Sequence, residues 1–540
     1  MALVYPNTYR TGMSNLGFQQ VYQRINQESG VACERVFLPD PGKRADAVVS
    51  CETRLPLQQF DIILFSISFE NDYIHLVDIL RHAGIPPRSS ERNHLHPLVA
   101  AGGVACFLNP EPIAVFMDFF LLGEAECLVN GFFRLFHQNP GRAGLLSSLE
   151  TDLPGAYVPS RHPPFSEKIP VRFLKHLDHI QTHTCVLTAQ TAFKDKFLVE
   201  ILKGCPHGCR FCTAGFIYRP PRIYPKENVL NAMDKASENT RKIGLVSSAI
   251  LDHPDIAEIC QYGTDHGFSL SFSSLRADKL DGPMIDLLHR SRVKTATIAP
   301  EAGSERMRRV INKKMTEPDI FHAVEKLVAK DILSLRLYFM IGLPFETDAD
   351  VRAIVTLTRE IKERFLTVSR KQKRMGTITL SINAFIPKPA TPFQWAALTD
   401  DATLKRRIRI ISQGLKKTPN VTVNLPSVKT AKISAFLSLG DRKIADVIET
   451  ACDHGWAYAL RHHADDCRRI IYTPKPVPAV PKTANTDVCP GLPSLPWDFL
   501  DSGISKKFLA AEWHRAEKEQ QSPACPMIDC RRCRICINET

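Results

Sequence analysis

Lys203-Gly204-Cys205-Pro206-His207-Gly208-Cys209-Arg210-Phe211-Cys212 places three cysteines within eight residues, directly after an apolar stretch at 197–202. Three thiolates on one glycine-containing loop can serve a single metal centre, and soft sulfur ligands select iron–sulfur or zinc over hard cations. The C-x3-C-x2-C spacing supplies only three ligands. Structural zinc normally closes with four protein ligands, whereas a four-iron cube held by three cysteines keeps one iron open to an outside ligand. The stretch therefore predicts an iron–sulfur centre that performs chemistry.

Working outward, six strand candidates at 197–202, 243–246, 269–272, 295–299, 335–341 and 379–385 are separated by stretches long enough for a helix. They predict a partial TIM barrel, (β/α)6, over 197–398, with functional loops at the carboxyl ends of the strands. The cysteine loop follows the first of these strands, so motif and fold agree. Hydroxyls follow the second strand at Ser247-Ser248, and Arg276 follows the third, able to hold a carboxylate bidentately or to pair with Asp278.

With its aromatic before the last cysteine, the loop resembles the signature of the radical S-adenosylmethionine (SAM) superfamily. The resemblance implies that Cys205, Cys209 and Cys212 hold a four-iron four-sulfur (4Fe-4S) cluster, that the methionyl group of SAM chelates the open iron, and that one electron cleaves SAM to a 5′-deoxyadenosyl radical. Phe211 takes the position beside the adenine. Pro300-Glu301-Ala302-Gly303-Ser304 is similar to the family's E-S-G-S segment, with alanine at the first serine, and Ile341-Gly342-Leu343-Pro344 looks like the glycine turn lining the adenine. Ser248, Arg276, Glu301, Ser304 and Gly342 are the implied SAM-binding residues. Pro387 to Trp395 resembles a segment shared by methylthiotransferase-like and cobalamin-associated members, where Phe393 and Trp395 either pack in the core or stack on a planar substrate.

Residues 1–147 alternate strands at 3–5, 35–38, 62–68, 98–101 and 116–122 with helical stretches, which predicts a Rossmann-like, flavodoxin-like parallel sheet. Its ligand loops would be 7–14, 66–71, 102–110 and 123–126. The order of domains resembles the branch of the superfamily with an N-terminal cobalamin-binding-like domain and a C-terminal cysteine-rich tail. Where the histidine-ligating form of that domain has D-x-H-x-x-G, this chain reads Asn7-Thr8-Tyr9-Arg10-Thr11-Gly12. Tyr9 in the histidine position implies cobalamin bound without that ligand, or a domain that shields the site or recognises substrate.

Residues 148–196 are polar and proline-rich and read as a linker, with His176, His179 and His183 lacking a completing ligand set. A helical basic extension is expected over 399–473, a proline-rich linker over 474–496, and a helix from Ser505 to Glu519 in a small module at 497–540. That module ends in Cys525, Cys530, Cys533 and Cys536, a C-x4-C-x2-C-x2-C set able to close on a second 4Fe-4S cluster or on zinc.

The chain has 540 residues, 69 Lys and Arg against 57 Asp and Glu, and a net charge of +12. No apolar run approaches the roughly 20 residues that span a bilayer, and the amino terminus lacks a signal-peptide pattern, so a cytoplasmic protein without a membrane partner is expected. Sixteen cysteines, partly clustered, suit metal ligation in a reducing compartment. The basic charge permits RNA or a ribosome-associated molecule as substrate. The electron donor would be a flavodoxin or ferredoxin. Two alternatives stand beside the RNA-modifying enzyme: cobalamin-dependent methylation of a small molecule, and a non-enzymatic scaffold that binds metal and RNA.

Overall fold

The computed structural model describes residues 1–39, 48–162, 167–236, 239–479, 494–527 and 530–537. The chain opens with a sheet in the order Glu34–Leu38, Ala2–Thr8, Ile62–Ser66, Leu98–Gly102, Phe119–Leu121 and Ala156–Tyr157, parallel except for the last strand. In chain order this is 2-1-3-4-5 plus an antiparallel edge, the flavodoxin-like arrangement, whose ligand crevice lies beyond strands 1 and 3. Alternate residues of each strand enter two different cores, because side chains alternate across a strand. Val4, Ile63, Phe65 and Val99 pack with the helix Tyr73–His82 on one face. Leu3, Tyr5, Leu64 and Ala100 pack with Leu16–Ile25 and Ala125–Gln138 on the other. Helices on both faces account for strands that read as apolar runs.

The second unit begins with parallel strands Phe197–Glu200, Lys242–Val246 and Ser269–Ser271. A parallel bridge from Leu275 to Ile298 leads on to Thr295–Glu301, Ser334–Ile341, Thr377–Ala384 and Val421–Asn424. A helix follows each strand of the run, from Lys226–Asp234 to Val428–Leu439. Among the described residues no helix is long and apolar enough to cross a membrane.

Several expected boundaries are corrected. The linker expected from residue 148 begins inside the helix Arg142–Asp152, and Ala156–Tyr157 then completes the first sheet. Further on, Thr184 N–H donates to the Leu198 carbonyl and Glu200 N–H to the Thr182 carbonyl, so the segment holding His183 edges the first strand of the second sheet. His183 is buried and stacked on Phe197. The extension expected to be helical contains the strand Val421–Asn424, too short and half exposed to give an apolar run. Its helices also pack with the first domain: Phe436, Leu437 and Ile448 join the core of Tyr73–His82. The terminal module is equally integrated, since Trp497, Phe499 and Leu509 enter that core. Its helix spans Lys506–Glu517 with Ser505 at the cap. Parts of both expected linkers, 163–166 and 480–493, lie outside the described residues.

Candidate active site

The three-cysteine loop leaves the short strand Leu202–Lys203 through Gly204, at φ +82°. A Cβ there would meet the Tyr218 carbonyl oxygen at 2.6 Å, so only glycine turns the chain at this point. The thiols neighbour one another, and burial reinforced by that proximity pushes Cys205 up to about 12 and Cys212 up to about 11. Thiols held protonated in this way become ligands when a metal displaces the proton. Cations act on them: Arg276 and Lys314 lie within electrostatic reach of Cys209, and Lys313 of Cys212. Among the described residues no three His, Cys, Asp or Glu side chains converge on a point suited to a single ion. A cube spreads its thiolates over separate irons and needs no such point. The all-sulfur donor set, its count of three and the surrounding positive charge fit a four-iron cluster.

Residues that the sequence reading passed over hold this loop in place. His207 Nε2 lies 2.8 Å from the Asp252 carboxylate, whose other oxygen is 3.8 Å from Lys279 Nζ. Asn312 Nδ2 donates to the Gly208 carbonyl at 3.0 Å. Arg210, between two of the cysteines, is 0% exposed. Its guanidinium donates to Glu512 and to the Val310 and Gln520 carbonyls. Each partner lies tens to hundreds of positions away, so nothing in the local sequence announces it.

The expected SAM-binding residues divide. Phe211 is half-buried against the apolar cluster that contains Ala302, Leu343, Phe385 and Phe393. Ser248 lines a cavity together with Gly204. Glu301 ends its strand at φ +67°, a left-handed conformation that costs a non-glycine residue about 1–3 kcal/mol and collects at functional sites. Burial raises its carboxyl above the ordinary range, against the pull of Lys313 at 3.6 Å. Arg276 is engaged, pairing with both oxygens of Asp278 at 3.0 Å and donating to the Lys313 carbonyl. Ser304 caps the helix Glu305–Val310, accepting from Met307 N–H and donating to Asp350 at 2.6 Å, which commits its hydroxyl to structure. Gly342 faces a different opening, lined by Phe345, Arg407 and Trp513. Phe393 and Trp395 are fully buried in the core.

The glycine of the E-A-G-S segment has a packing role. A Cβ on Gly303 would lie 2.2 Å from the backbone nitrogen of Ile354, in the helix Asp348–Lys371. Gly303→Ala is expected to push that helix away and displace Glu301 with it, lowering the urea midpoint by more than an exposed glycine substitution such as Gly141→Ala. Gly141 has nothing within 4 Å of its missing Cβ.

The cavity shared by Ser248 and Gly204, about 630 Å³, lies where the carboxyl ends of the two sheets face each other. This is within the roughly 300–1,000 Å³ of small-molecule and cofactor sites. All four of the expected loops reach it, through Ser14, Ser66 to Phe69, Gly102 to Val104, and Gly123 to Glu126. Within the first loop Tyr9–Gly12 folds as a helical turn, and Tyr9, at the histidine position, packs edge-on to Phe37 at 5.0 Å and leaves Ser14 to line the cavity. No imidazole or sulfur ligand for a cobalt lines it among the described residues. Exposed Phe69 and Phe193, 59% and 44% accessible, also border it. One end carries Glu124, Glu126, Glu200 and Lys203. Burial opposes the Lys203 charge, yet Glu200, Glu126 and Glu124 outweigh it and hold the ammonium above its ordinary pKa. Burial raises Glu200. Glu124 accepts from both arms of Arg222 at 2.9 and 2.8 Å, tying the two domains together.

Two family models match the chain: one described as radical SAM proteins, N-terminal, over residues 17–159, and one described as the radical SAM superfamily, over residues 199–358. The protein MJ0966 of Methanocaldococcus jannaschii is 29% identical over 454 residues, covering 83% of this chain and 90% of that one. The ribosomal protein uS12 methylthiotransferase RimO of Thermodesulfovibrio yellowstonii is 25% identical over 211 residues, covering 35% of this chain and 48% of the relative. Among solved structures, the radical SAM methyltransferase TsrM of Kitasatospora setae superposes with a TM-score of 0.50 at 12% identity, over 87% of this chain and 99% of that one, a likeness of fold.

Proposed function

The chain belongs to the radical SAM superfamily and is a radical SAM enzyme, and from that premise we propose that its cluster is held by Cys205, Cys209 and Cys212, with its substrate side at the cavity beyond Gly204. The observation that carries this reading is the placement of the three cysteines on one loop that opens, through Gly204, onto that cavity. When bound, the cluster and SAM supply a 5′-deoxyadenosyl radical that abstracts hydrogen from the substrate. Phe211 offers its ring to the adenine, Glu301 its carboxyl to the ribose or methionyl group, and Ser248 its hydroxyl to the methionyl amine. Arg276 acts on the same region as a fixed positive charge beside Cys209. The apolar walls and the paired domains keep water from the reacting centre.

The substrate follows from charge. A basic chain and a relative named for a ribosomal protein support an RNA or ribosome-associated substrate. At the cavity Lys203 and the Arg222 guanidinium are already taken up by Glu124 and Glu126, which leaves neither cation to hold a phosphate. RNA therefore enters this cavity only as an uncharged base or side group. The apolar lining favours a second reading, cobalamin-dependent methylation of a small molecule, in which a corrin is held without a protein ligand to cobalt. Extraction of corrinoid from the purified protein supports that second reading, and its absence after growth with cobalamin removes it.

The assignments are tested by SAM titration of the anaerobically reconstituted protein. Phe211→Ala and Glu301→Gln should each weaken SAM at least about tenfold, or ~1.4 kcal/mol. Parental affinity in both variants would overturn these roles.

A further inference from the structure

The four-cysteine tail is fastened directly to the three-cysteine loop. Cys525 N–H donates to the Pro206 carbonyl at 2.8 Å. Asn312 bridges the two, donating to Gly208 on one side and accepting from Ser522 N–H at 2.9 Å on the other. The Cys525 thiol neighbours Cys530, Cys533 and the Arg219 guanidinium. Lys314 lies within electrostatic reach of both Cys209 and Arg532, a residue between two of the tail cysteines. Cys525 and Cys533 are 9% and 3% exposed, while Arg531 and Arg532 between the ligand positions face solvent.

We propose that Cys525, Cys530, Cys533 and Cys536 hold a second iron–sulfur cluster, through which an electron enters from a one-electron carrier protein and passes to the cluster at the three-cysteine loop. This rests on the radical SAM reading. Three features carry it. Four thiolates complete a cube without an open iron, which suits electron transfer rather than substrate chemistry. A metal that merely braced the tail would have little left to hold: the buried Arg210–Glu512 pair and the packing of Leu509 and Ala510 anchor the helix before the set, and backbone bonds from Cys525 N–H to Pro206 and from Ser505 N–H to the Cys533 carbonyl tie the set itself. The exposed arginines surround the set with positive charge, which stabilises the added electron and suits an acidic carrier. The transfer balances simply: the reduced carrier loses one electron, the tail cluster gains and then releases it, and the loop cluster is reduced by one, with no bond made and no proton moved.

The test uses the full chain, reconstituted anaerobically. The parent should contain about eight irons, against about four after Cys530→Ala with Cys533→Ala, as expected for two cubes and one. The reduced parent should give electron paramagnetic resonance spectra of two interacting clusters, and the variant the spectrum of one. Cleavage of SAM driven by reduced flavodoxin should fall at least tenfold further in the variant than cleavage driven by dithionite. SAM cleavage by a parent with four irons and one zinc would overturn the proposal and leave the radical SAM reading standing. Eight irons without SAM cleavage by either reductant would overturn the radical SAM reading and the relay that rests on it, and would leave the two clusters standing. Equal losses with the two reductants would remove the relay.

Discussion

Cys209→Ala is expected to lose the loop's cluster while keeping the fold. The Cys209 thiol makes one weak contact of its own, 4.0 Å from the Asn312 carbonyl. The loop is held by other groups: His207 on Asp252, Asn312 on Gly208, and Cys525 on Pro206. Removing one sulfur therefore costs the apoprotein little, whereas a cube with two remaining protein ligands cannot be retained. Iron should fall by about four per chain, and circular dichroism and the thermal midpoint of the apoprotein should stay at parental values. Full iron content in this variant would remove Cys209 from the ligand set.

Glu512→Ala carries the largest expected cost in stability. Glu512 is 2% exposed and receives Arg210 at 3.1 Å, Arg515 at 2.6 Å and the Ser522 hydroxyl at 2.7 Å. Burial lowers the pKa of Arg210, and the charge persists because Glu512 opposes that shift. Truncating the acid leaves a guanidinium inside the protein without its counter-charge, a change that typically costs about 3–5 kcal/mol. The tail helix should loosen from the three-cysteine loop, seen as faster proteolysis after Lys518 and a lower denaturation midpoint. Arg210→Met combined with Glu512→Leu should cost less than the sum of the two single changes, because the uncompensated charge disappears with its partner. Additive costs would mean that the pair is not coupled.

The strands were legible in the sequence because burial on both faces leaves plain apolar runs. Ile62–Ser66 and Ser334–Ile341 stand where the pattern predicts them. Val421–Asn424 escaped because an edge strand four residues long, alternately half-buried and exposed, carries no such run. The cysteine loop was legible because ligand spacing is local. Its supports were not: Arg210 reads as an ordinary surface cation until Glu512 arrives from 302 positions away. Ser304 and Arg276 show the converse, since residue types suited to SAM are also those that cap helices and pair with nearby carboxylates. The tail looked separable because a proline-rich stretch precedes it, and sequence pattern says nothing about where Cys525 comes to rest.

The central claim is tested most directly by incubating the anaerobically reconstituted protein with SAM and dithionite and measuring 5′-deoxyadenosine. The account predicts its formation by the parent and none above background in Cys209→Ala. A folded parent that carries iron and binds SAM yet releases no deoxyadenosine would contradict it.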